Sequence, residues 1–138
     1  MPDDALVGLS AEDMITNWSA YISSYSGKLW PRSTIEHWVN ATVDRFLDMR
    51  PKRMLELGSG NGMLAFRAAL RPEVEEVWMA DLSGEACRYL EAVASHPHFA
   101  HIKHKVRVRS TLTRTLTLTL TLTLPLPLPL PLTLTLTR

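Results

Sequence analysis

The sequence predicts an α/β fold in which two leading helices precede the first half of a doubly wound parallel sheet, with a low-complexity tail behind it. Three observations predict it. Met54-Leu55-Glu56-Leu57 is a short apolar run that leads into Gly58, Gly60 and Gly62, after which the pattern turns helical. Val77-Trp78-Met79-Ala80 is a second such run, and it ends in Asp81, 19 residues past Gly62. From Ser110 onward the composition collapses to alternating Thr-Leu and Pro-Leu. Alternating strand and helix patterns of this length belong to parallel sheets covered by helices on both faces.

Each element has its own signal. Ser10 with Asp13 reads as a helix start, a cap followed by an acid in the first turn. Met14, Ile15, Trp18, Tyr21, Ile22 and Tyr25 then recur at helical spacing, and Gly27 is placed to end the helix. Ser33-Thr34-Ile35-Glu36 has the form of a capping box. Ile35, Trp38, Val39, Val43, Phe46 and Leu47 share one face behind it, up to the stop at Pro51.

Met54–Leu57 follows as a buried strand, Asn61–Leu70 as a helix ending before Pro72, and Val77–Ala80 as a second strand. Ser83 can cap a helix that carries Ala86, Tyr89, Leu90 and Val93 and ends before Pro97. Residues 99–108 are expected as a third strand, with imperfect alternation.

Composition divides the chain near the same point. All 14 acids lie between Asp3 and Glu91 beside nine bases, and the six remaining bases start at Lys103. The ten aromatic residues end at Phe99. We therefore expect residues 1–109 to form one partial domain and 110–138 a separate repeat tail. Thr, Pro, Leu and Arg codons interconvert by single base changes, so the tail has the form of a translated DNA repeat. Its Leu residues share one face when extended, which favours self-association over chemistry.

Cys87 is the only cysteine, which excludes an intrachain disulfide. The start at Met1-Pro2-Asp3-Asp4 lacks the basic-then-apolar order of a secretory signal, and a cytoplasmic location is expected. No run of about 18 apolar residues is present to span a bilayer.

The glycine loop carries the function. Glycines on alternate positions let the backbone turn sharply and approach a ligand, and a loop between strand and helix is where doubly wound folds hold nucleotide-like cofactors. An acid at the tip of the next strand, here Asp81, is placed to accept from ribose hydroxyls. The dinucleotide fingerprint needs a small residue where this chain has Met63, which disfavours NAD.

Glu56 followed by Gly58, Gly60 and Gly62 instead resembles the first motif of class I S-adenosylmethionine-dependent methyltransferases. The likeness extends through Glu36, Trp38, Val39, Thr42, Val43 and Arg45, then from Arg50 to Arg67. It continues in Ala80-Asp81-Leu82-Ser83 with Ala86, Tyr89 and Leu90. Upstream, Trp18 and Ser23–Gly27 fit as well. Over residues 15 to 105 the chain is similar to the methyltransferase domains embedded in nonribosomal peptide synthetases.

The resemblance implies a Rossmann-like sheet, S-adenosyl-L-methionine as cofactor, and methyl transfer to an amine or carbon of a small-molecule or peptide-like acceptor. It implies a cofactor set of Glu56, Gly58, Ser59, Gly60, Asn61, Gly62, Asp81 and Leu82. Glu56 and the loop backbone would face the methionine part, Asp81 the ribose and Leu82 the adenine. No residue is assigned as a catalytic base. That family has seven strands where this sequence supplies three before the repeat, so a truncated domain is expected. Its first strand would lie at an exposed edge prone to self-association, and its catalysis would be weak or absent. The alternative is a non-catalytic fragment that at most binds the cofactor or another nucleotide.

Two other clusters are read as structural. His96, His98, His101 and His104 lack Cys or acid partners nearby, so no metal site is expected. Lys103, Lys105, Arg107 and Arg109 alternate with apolar residues, as on an exposed strand face. They are too few to predict a nucleic-acid partner, and no membrane partner is expected. Cys87 reads as core.

Overall fold

The computed structural model of the chain describes residues 6–16, 18, 21–110, 118–120 and 132–134. The Thr-Leu/Pro-Leu tail otherwise lies outside the described residues, as do positions 17, 19 and 20 of the expected first helix.

That first helix is much shorter than its apolar spacing predicts. Helix α1 spans Ala11–Met14, capped as expected by Ser10, whose Oγ accepts from the Asp13 N–H. Instead of continuing to Gly27, the chain makes a tight reversal in which Ile22 and Leu29 form an antiparallel bridge. Ser23 N–H donates to Lys28 O at 2.8 Å and Trp30 N–H to Tyr21 O at 2.9 Å. The reason is local. Ser23 Oγ accepts from the N–H groups of Tyr25 and Ser26, giving the backbone an alternative to helical bonding. Gly27 then takes a φ of +65° to close the turn. Tyr25, placed in the expected apolar stripe, is fully in solvent.

Helix α2 spans Arg32–Asp48 and starts after Pro31, with no side-chain cap. The expected capping box does not form. Glu36 turns back one helical turn to accept from Arg32 Nε at 3.0 Å instead. Ile35, Val39 and Val43 are buried as read, while Trp38 is half exposed.

The sheet comprises β1 (Arg53–Leu57), β2 (Glu76–Asp81) and β3 (Val106–Ser110), all parallel and in that spatial order. Register pairs Glu56 with Met79 and Leu57 with Ala80, then Met79 with Val108 and Asp81 with Ser110. Helix α3 (Met63–Ala69) crosses from β1 to β2, and α4 (Gly84–Ser95) from β2 toward β3. β3 begins later than expected because a 3-10 turn at Pro97–Phe99 and further turns occupy the chain up to Lys105. Two three-residue strands, β4 (Leu118–Leu120) and β5 (Leu132–Leu134), pair antiparallel with Leu118 opposite Leu134.

Both crossover helices pack on one face of the sheet. Phe66 and Ala69 of α3, with Leu90 and Val93 of α4, form one cluster with Val77, Met79 and Val106. Two right-handed crossovers stepping in the same direction require this placement. The expectation of helices on both faces is therefore corrected for the described residues. The opposite face carries Leu55 and Leu57, 40% and 66% exposed, with Arg109 stacked on Trp78 at 5.1 Å. Thus β1 is the edge strand that the resemblance implied, half-buried on its inner side and exposed on its outer side, where its apolar run predicted a buried strand. Arg107 and Arg109 lie on this outer face as read. Lys105 instead donates to the Ala69 and Arg71 carbonyls at the end of α3, where a cation suits the helix dipole.

Candidate functional site

The glycine loop leaves the carboxyl end of β1 and is tied to its neighbour strand by the backbone. Gly58 and Ser59 N–H both donate to Ala80 O, at 2.7 and 3.1 Å. Ser59 is buried, and its Oγ donates to Glu56 O at 3.0 Å. Gly62 N–H returns to Ser59 O at 2.7 Å and the chain enters α3.

The three glycines serve two purposes. Gly58 and Gly60 have φ of +74° and +53°, yet a Cβ on either would meet nothing within 4 Å. Their need is conformational, and the space above them is open. At Gly62, with φ +76°, a Cβ would lie 2.6 Å from Phe66 and 2.7 Å from Leu90. That glycine lets α3 seat against α4. Met63 beside it is buried against Ile35 and Val39, so Gly62 supplies the close approach that the dinucleotide pattern would ask of position 63.

Asp81 closes the site. Its Oδ2 accepts from Gly60 N–H and its Oδ1 from Ser83 N–H, both at 2.8 Å. The Ser83 and then the Gly60 N–H hold this carboxyl below the usual carboxylate range, against a smaller opposing effect of burial. The strand-tip acid is thus ionised and fixes the loop at the same time. Ser83 caps α4 as read, its Oγ accepting from Ala86 N–H.

A cleft of about 480 Å³ opens between Gly60 and Asn61 of the loop, Ser83, Ala86 and Tyr89 of the α4 region, and Asp13 and Thr16 of the N-terminal segment. Its size suits a nucleoside-sized ligand. Of the expected cofactor set, Gly60 and Asn61 line this cleft, and Asp81 meets it through the Gly60 N–H that its carboxylate accepts.

Gly58, Ser59, Gly62 and Asp81 hold the shape of the loop without lining the cleft, and the other two expected residues lie apart. Leu82 is 71% exposed at the rim. Glu56 lines a different cavity of about 310 Å³, with Phe46, Met54, Leu64 and Ala65. Its Oε2 is buried without a partner. Burial pushes the Glu56 carboxyl up to about 7, partly opposed by the Ala65 N–H and the Ser59 hydroxyl. The residues that sequence reasoning missed are Asp13, read there only as a helix-start acid, Thr16, and Arg67, whose tertiary partners have no sequence signal.

Among the described residues, no group of three or more His, Cys, Asp and Glu could hold a metal ion. His96 and His98 stack at 4.8 Å. No described helix is long and apolar enough to cross a membrane.

The described residues thus form an α/β fold with a three-stranded parallel sheet and a glycine loop at the carboxyl end of its first strand. The chain's sequence is similar to chondramide synthase cmdD of Chondromyces crocatus, 42% identical over 80 residues, or 58% of this chain and 2% of that protein. It is also similar to the probable non-canonical nonribosomal peptide synthetase CymA of Salinispora arenicola, 29% identical over 62% of this chain and 1% of that one. Among solved structures it resembles the methyltransferase domain of bacterial CtHen1-C. There the TM-score is 0.48 at 14% identity, covering 56% of this chain and 40% of that domain's chain. The chain thus spans 2% or less of the length of these two synthetases. No protein-family model matches it.

Proposed function

We propose that residues 1–109 are the cofactor-binding part of an S-adenosylmethionine-dependent methyltransferase, of the kind that acts on an amine or carbon of a peptide-like or small-molecule acceptor. The observation that carries this reading is the Asp81 carboxylate, which bridges Gly60 and Ser83 N–H groups beside the open faces of Gly58 and Gly60. The sequence likeness to a probable nonribosomal peptide synthetase supports the acceptor class.

When bound, the cofactor supplies an electrophilic methyl group on a sulfonium. The chain's own contribution is to bind and align. Gly58, Ser59, Gly60, Asn61 and Gly62 would hold the methionine-side atoms along the loop, Asp81 the ribose, and Leu82 an edge of the adenine. Alignment of acceptor and methyl group is the largest lever such a displacement has. Glu56, half-buried with its Oε2 enclosed, would act on the loop from behind, since it faces the second cavity.

Binding without catalysis is a second reading, favoured by the edge position of β1. In doubly wound folds the ligand crevice lies at the switch point between the first strand and a neighbour on its other side, and β1 has β2 as its one described partner.

Calorimetric titration of S-adenosylhomocysteine into the full chain tests the proposal. We expect saturable binding that Asp81→Ala weakens tenfold or more, about 1.4 kcal/mol. Absence of binding overturns it, and tighter binding of NAD would restore the dinucleotide reading.

A further inference from the structure

The N-terminal segment is fastened to both helices that flank the cleft, and the fastening is polar. Arg67 lies on α3, directly behind the glycine loop, and its side chain is 11% exposed. Its Nη2 donates to the Glu12 carboxylate and, at 2.6 Å, to Thr16 Oγ1. Its Nη1 donates to Met63 O at 2.7 Å and Ile15 O at 3.4 Å. From α4, Tyr89 donates its hydroxyl to Met14 O at 2.5 Å. Met14, Ile15 and Thr16 are all buried beneath these contacts.

An apolar contact could hold residues 10–16 with comparable strength, because an ion pair that is partly or wholly buried gains little over well-packed apolar groups. What a guanidinium with four acceptors adds is a single register. That register sets which atoms of the segment reach the cleft. They are those of Asp13 and Thr16, opposite Gly60 and Asn61. Asp13 is fixed in turn by Ser10 Oγ at 2.6 Å and Trp18 Nε1 at 3.1 Å. Arg32 lies over the Trp18 ring at 4.2 Å, tying the far side of the segment to α2.

We propose that Arg67 is a positioning residue that holds residues 10–16 as one wall of the cofactor cleft, so that the loop-bearing helix and that wall move as a unit. The proposal deepens the reading of this cleft as a cofactor site and rests on it. Arg67 touches no ligand in this account. It acts through Glu12, Thr16 and the backbone of Ile15.

The test pairs hydrogen–deuterium exchange with S-adenosylhomocysteine titration, on the full chain and its Arg67→Met and Arg67→Lys variants. In Arg67→Met, amides of residues 13–16 should exchange roughly tenfold faster while those of β2 keep their protection. Binding should weaken by about tenfold in the same variant, and Arg67→Lys, which keeps the charge facing Glu12, should recover part of both. Should Arg67→Met fail to fold, Glu12→Gln, outside the cleft lining, must shift both readouts in the same direction by a smaller factor.

Equal binding by wild type and Arg67→Met overturns the proposal alone. So does unchanged exchange at residues 13–16. No binding by the wild-type chain overturns the cofactor reading and the proposal together, even where exchange shows that the clasp holds the segment.

Discussion

The two faces of the sheet are built from the same strands, yet they have opposite fates. On the inner face Val77 and Met79 are fully buried beneath Phe66 and Leu90, and Val106 nearly so. On the outer face Leu57 is two-thirds exposed and Leu55 nearly half. Alternate residues of β1 therefore differ in burial because the described helices cover one side only, while Ala80 of β2 is buried on the outer face. The continuous apolar character of β1 and β2 describes a strand with two buried faces, while the described helices supply one cover. The lesson is that a buried-strand pattern reports how much cover a strand is suited to, and not how much it has.

Three substitutions sharpen this comparison. The largest effect should come from Phe66→Ala, which empties the centre of the inner face where Phe66 meets Phe99 at 5.4 Å. Loss of about 3–5 kcal/mol in urea unfolding is expected. A cost near that of a surface change would break the contrast between faces.

Glu56 comes next, a carboxyl that pairs with Met79 on the inner face. Its pKa is raised to about 7 from 4.5, so its proton is held more tightly in the folded chain. The sign follows from that. Its contribution to stability is fully present below pH 4.5 and is lost as pH rises through about 7. Glu56→Gln should flatten this loss, with a gain of on the order of 2 kcal/mol over wild type at pH 8. Thermal unfolding from pH 5 to 8 measures it. Equal pH slopes in the two proteins would mean that Glu56 is solvated. Asp81 has the opposite sign, since its lowered pKa gives stability that is lost as pH falls below the usual carboxylate range.

The smallest effect belongs to Leu57→Ser on the outer face, expected within about 0.5 kcal/mol of wild type. Size-exclusion chromatography adds a second readout, because an exposed apolar edge favours association. A large loss of stability would show that this face is covered in solution.

Much of the sheet was legible in the sequence. The order of strands and helices, the glycine loop, the Ser83 cap and the strand-tip position of Asp81 all follow from patterns within a few residues of one another. The stretch from Met14 to Tyr25 was misread because its apolar spacing fits a helix, while Ser23 and Gly27 offer the backbone a turn that periodicity does not register. The Ser33 box was misread because Arg32 competes successfully for Glu36.

By itself, then, the sequence determined the loop and its acid, since φ above zero and a strand-end carboxylate are requirements met within a short segment. Tertiary structure alone decided the rest of the site. Glu56 was turned toward a second cavity by its parity on an edge strand, and Arg67 was joined to Glu12 across 55 positions of chain. Such pairings depend on which surfaces meet when helices dock, and the free energy of docking is spread over the whole core rather than written at either residue.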